Sequence, residues 1–118
     1  ARVVASRSPG VDGQIDGQVA GQSARDAADA ATRAGELFAQ VGRIGSAAQA
    51  FWLAGQILRE DGDLDGAVLA LESAYEGLTI ARDAANRARA ASDLIDVLRA
   101  TGQHDRADQV IATLTSGS

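Results

Sequence analysis

Leu58-Arg59-Glu60-Asp61-Gly62-Asp63-Leu64-Asp65-Gly66-Ala67, continued by Leu71 and Ala74, decides how this chain folds, because its frame returns forty residues later. Leu58-x3-Gly62-x4-Ala67-x3-Leu71-x2-Ala74 comes back as Leu98-x3-Gly102-x4-Ala107-x3-Ile111-x2-Leu114. Upstream, Ala27, Ala31 and Ala34 stand where the second unit has Ala67, Leu71 and Ala74. A helical unit of this length cannot bury its apolar face alone and must stack on its neighbours. The expected fold is therefore all-α, a short α-solenoid of about five helices in helix–turn–helix repeats.

Composition agrees. The chain has 118 residues, 46% apolar, with one Pro and no Cys, which is enough for one modest core without disulfides. Alanine-rich faces favour helix and permit close helix–helix approach. A net charge of −5, with no clustered basic patch, argues against nucleic acid. No run approaches the length of a membrane span, so no membrane partner is expected and a cytoplasmic location is. All eleven basic residues are Arg, which points to a GC-rich, bacterial source rather than to a mechanism.

Residues 1–22 differ from the rest: they hold Pro9 and the glycine-rich runs Asp12-Gly-Gln-Ile and Asp16-Gly-Gln-Val. Each glycine costs a helix about 1 kcal/mol relative to alanine. The segment reads as a linker or a degenerate helix, since Val11, Ile15 and Val19 still recur every four residues. The repeat domain is expected over 23–118. Helix 1 should run from Ser23 to Val41 with Ala27, Ala31, Ala34 and Phe38 inward. Helix 2 should run from Ser46 to Asp61 with Ala47, Phe51, Ala54 and Leu58 inward. Helix 3 opens at Asp63 or Leu64, shows Ala67, Leu71, Ala74 and Leu78, and has no sharp stop before Arg82–Asn86. Helices 4 and 5 follow over about Arg87–Thr101 and His104–Leu114, and short turns make neighbours antiparallel.

The stretch Phe51-x2-Ala54-Gly55-x2-Leu58-x3-Gly62-x4-Ala67-x3-Leu71-x2-Ala74 resembles the tetratricopeptide (TPR) signature, and the resemblance covers about residues 25–115. The forty-residue spacing is similar to that of longer TPR variants in actinobacterial regulators and scaffold proteins. Leu58 stands where an aromatic is usual, Thr79 where Pro is usual, and Ile95 where a small residue is usual. The resemblance implies a module that binds a peptide or helix of a partner protein in a concave groove.

Adjacent helical residues point about 100° apart, so Phe51 and Trp52 cannot face one core. Phe51 continues the buried stripe. Trp52 joins Gln49, Gln56 and Arg59 on a second stripe, whose counterpart is Arg89, Ser92, Asp96 and Arg99. In the TPR register these residues line the groove; the alternative packs Trp52 on helix 1. A semi-exposed Trp beside Arg is a composition favoured at binding hot spots. The stripes lack the Lys/Asn set that clamps a carboxyl terminus in chaperone adaptors. A self-associating, homo-oligomeric scaffold, or the sensory part of a larger regulator, is the alternative function.

A rival motif overlaps the turn. Asp61, Asp63, Asp65 and Glu72, with Gly66, satisfy the EF-hand calcium-loop spacing. Against it, Glu60 and Ser73 are polar where apolar flanks belong, and the equivalent turn at Gly102 has no ligand set. His104 lacks a Cys, a second His or a poised Ser, and Asp93, Asp96, Asp105 and Asp108 read as solvated helix surface. No catalytic residue and no cofactor are expected.

Overall fold

In the computed structural model, which describes residues 9–116 and side-chain surroundings from residue 22, the chain is all-helical. The order is α1 (Pro9–Gln40), α2 (Ile44–Glu60), α3 (Leu64–Ile80), α4 (Ala84–Ala100) and α5 (His104–Thr115). Packing is between consecutive helices. Side chains then sort the helices into two layers. Trp52 and Arg59 reach from α2 to α4; Glu72 and Arg106 pair α3 with α5. We call α2 and α4 the inner row, and α1, α3 and α5 the outer row.

The turns explain the layering. The backbone is left-handed at Gly42, Gly62, Arg82 and Gly102, one residue every 20, with φ of 80°, 89°, 59° and 79°. Each turn closes by the same two hydrogen bonds. At the second, the Asp63 N–H donates to the Leu58 carbonyl at 2.9 Å and the Gly62 N–H to the Arg59 carbonyl at 3.1 Å. The same pair joins Arg43 to Phe38, Asp83 to Leu78 and Gln103 to Leu98, at 2.8, 3.0 and 2.7 Å. This is the Schellman closure, which satisfies the last helical carbonyls and reverses the chain. The next helix starts at once, and Asp63 and Asp83 cap it by accepting from the N–H groups of Gly66 and Asn86. Three-residue turns between 17-residue helices make α2, α3 and α4 equal modules.

Alternation of layers doubles that module to the forty-residue repeat seen in the sequence. The shorter period is hidden because Arg82 occupies the position filled by glycine elsewhere. Helix 3 therefore has a sharp stop after Ile80, and α4 opens at Ala84, not Arg87, capped by Asp83. At the other end, α1 starts at Pro9 rather than Ser23 and runs unbroken through Gly21. Proline suits this first position, where an N–H would have no helical partner.

The core is small-residue packing around a few leucines. Leu71, Leu78, Leu94, Val97 and Leu98 are its largest fully buried side chains. Contact between α2 and α3 depends on glycine: a Cβ on Gly55 would sit 2.7 Å from Leu71, and one on Gly77 2.9 Å from Ala48. Gly35 similarly admits the Phe51 ring between α1 and α2, which leaves Phe51 half-buried, not fully inward. The expected inward stripe holds on α3, where Ala67, Leu71, Ala74 and Leu78 are all buried. It fails on α1. Ala27 is exposed, Ala34 and Phe38 are half-buried, and Ala28, Ala31 and Gly35 take the buried positions.

Candidate functional site

Trp52 is the centre of the strongest side-chain cluster. Its position on α2 follows from helical spacing: Phe51 is taken by α1, so the next residue turns toward the neighbouring inner helix. There the indole packs against both core clusters, which include Leu94, Val97 and Ala90 of α4. Its N–H donates to Asp93 at 2.8 Å. Arg59, two turns along α2, lies 3.6 Å from Asp93 and 3.6 Å from Asp96. Trp52 thus packs toward α4, against the alternative that it rests on α1.

Asp93 was read in sequence as solvated surface. Its side chain is 27% exposed and is the acceptor for Trp52 and the partner of Arg59. The forty-residue offset carries Trp52 onto Ser92 and so points past the residue it bonds. The usable signal was helical: Asp93 and Asp96 are three apart on one face, opposite an Arg two modules away.

Of the sequence-derived set, Trp52, Arg59 and Asp96 are joined through this network. Gln49 and Gln56 are exposed and line, with Trp52 and Leu53, a hollow of about 280 Å³. Arg89, Ser92 and Arg99 are exposed on α4, and no ion pair with a described residue involves either arginine. Apolar anchor, amide groups and uncommitted guanidinium groups therefore share the two inner helices. Such an arrangement can hold a segment with apolar and acidic side chains.

A second hollow of about 270 Å³ lies between α3 and α5, over Leu94 and Leu98, with Tyr75, Glu72 and Arg106 on its walls. The Tyr75 hydroxyl is buried there without a hydrogen-bond partner among the described residues. The calcium-like residues lie otherwise than in a wrapped loop. Residues 64–80 are helix, Asp63 is occupied as an N-cap, and Glu72 pairs with Arg106. Among the described residues no three His, Cys, Asp or Glu side chains converge to hold a metal ion. His104 is exposed at the first position of α5. No described helix is long and apolar enough to cross a membrane.

No family model, curated protein or solved structure gives a significant match to this chain.

Proposed function

We propose that the chain is a TPR-like protein-interaction module whose inner row, α2 and α4, receives a peptide or helix of a partner protein. The observation that carries the reading is the pinned tryptophan. Trp52 presents part of a large, rigid apolar surface while Asp93 holds its N–H and Arg59 ties the same carboxylate to α2. A mostly buried aromatic fixed before binding loses little freedom on binding, which is how such residues become affinity anchors. The amides of Gln49 and Gln56 flank it, and the exposed Arg89 and Arg99 supply charge for acidic side chains of the ligand. Such a module has no catalytic or cofactor role and works in the cytoplasm of a bacterial cell.

The test is selection of peptides from a random displayed library, followed by mapping of the complex by NMR. Selected sequences should combine an aromatic or leucine with Asp or Glu, and should shift amide resonances of α2 and α4. Arg89→Ala with Arg99→Ala should weaken them about tenfold, the effect of about 1.4 kcal/mol. Peptides that shift only α3 and α5, or that bind the double variant unchanged, would sink the reading.

A further inference from the structure

The two ends of the stack are not alike. At the C-terminal end, the residues forty positions beyond Trp52 and Val68 are Ser92 and Asp108, both exposed. Trp52 and Val68 cover the next unit; Ser92 and Asp108 offer it nothing apolar. At these two positions the C-terminal end is polar.

Among the described residues the N-terminal end is apolar and uncovered. In the α3–α4 pair, Ala67, Ala74 and Leu78 of α3 and Ala90 and Val97 of α4 are fully buried. Their equivalents forty residues earlier are Ala27, Ala34, Phe38, Ala50 and Ile57, and every one is half-buried or exposed. Beside them Leu37, Val41 and Leu53 are 62%, 71% and 51% exposed. What separates the α3–α4 pair from the α1–α2 pair is one neighbour. The former has α2 lying against it; among the described residues no inner helix lies in the equivalent place against α1 and α2.

In the repeat frame that inner helix belongs to residues 4–20, forty before α2, and the turn belongs at Gly21-Gln22-Ser23. The structure has no turn there. Since α1 is 32 residues long and α2 17, nearly half of α1 exceeds the length of its hairpin partner. A second copy removes the mismatch. We propose that two chains exchange these extensions: their α1 helices cross antiparallel near Gln22, and Pro9–Ala20 of each fills the vacant inner position of the other. The exchanged segment carries Val11, Ile15 and Val19 at four-residue steps, the periodicity a covering helix needs. The exchange preserves the continuous helix and uses the contacts that a turn would have made within one chain, which is the logic of domain swapping. A twelve-residue helix docked in each slot buries on the order of 1,000 Å² in all, at the lower limit for a specific assembly. The exchange stands apart from the partner-binding reading, because it rests on the length of α1 and the uncovered α1–α2 face; the two surfaces meet at Leu53.

The chain has no cysteine, so a disulfide can report the exchange. Gly55 and Leu71 touch between α2 and α3; the positions forty earlier are Ile15 and Ala31. Sedimentation of the unmodified chain should give a dimer of twice 12.0 kDa. Removal of residues 1–21 should give a monomer with increased binding of an apolar dye. Oxidised Ile15→Cys/Ala31→Cys should run as a covalent dimer on a non-reducing gel. Any of three results would overturn the proposal: a monomer at 100 micromolar, a dimer that survives the truncation, or a disulfide formed only within one chain.

Discussion

At the scale of single residues, Arg82 is the exception that tests the turn argument. It holds a φ of 59° where the other three turns have glycine. A side chain in the left-handed region costs roughly 1–2 kcal/mol, and glycine does not pay it. Arg82→Gly should raise stability by about 1 kcal/mol, read as a shift of the urea midpoint at unchanged slope. Arg82→Val, with a branched Cβ, should lower it. Trp52 offers the complementary measurement. Phenylalanine removes the N–H that donates to Asp93 together with one ring of the indole. Trp52→Phe should cost about 2–3 kcal/mol, from the lost hydrogen bond to a charged acceptor and the lost packing. In an Asp93→Ala background the same change should cost less, because the acceptor is already gone.

At the scale of helices, the close approach of α2 and α3 rests on absent side chains. Gly55→Ala would place its Cβ against the branched end of the buried Leu71. The helix must gain propensity and lose packing at once. Alanine is worth up to about 1 kcal/mol over glycine, whereas overpacking a filled core costs about 1–3. The expected net is a destabilisation of about 1 kcal/mol, measured by thermal or urea unfolding. The same residues show what a reader of the sequence can find. Stripes on α3 and the turns at Gly42, Gly62 and Gly102 were legible because glycine and helical spacing mark them directly. The turn at Arg82 was not, because the residue that adopts the special backbone is one that ordinarily avoids it. The start of α1 was hidden by glycines that argue against helix one at a time. The exposure of Ala27 was also beyond reach: its pattern is that of a buried residue, and only the stack reveals that its neighbour is missing. In the candidate site, Trp52 and Arg59 stood out by helical register, whereas Asp93 required knowing which face α4 turns to α2.

At the scale of the whole molecule, each helix is held mainly by the helices before and after it. Stability in such a stack is a chain of neighbour terms, so the ends should open before the middle. α5 has 12 residues and a single fully buried side chain, Ala107, against five or six buried residues on α3 and α4. Native-state hydrogen exchange should accordingly find α5 amides least protected among α2–α5, and α3 with α4 close to the global unfolding limit. Uniform protection across all four would mean that the stack unfolds as one unit.

The equal modules also impose a parity on change of length. Because α2, α3 and α4 have 17 residues each and are joined by identical three-residue reversals, any stretch of twenty can be excised with its junction still a legal turn. Loss of one such stretch, however, hands each later helix to the opposite layer, so that sequences adapted to face inward find themselves outside. Loss or gain of forty leaves every helix on its own side. Growth of this architecture by duplication is therefore quantised in pairs: odd steps preserve the backbone and scramble the surfaces, and even steps preserve both.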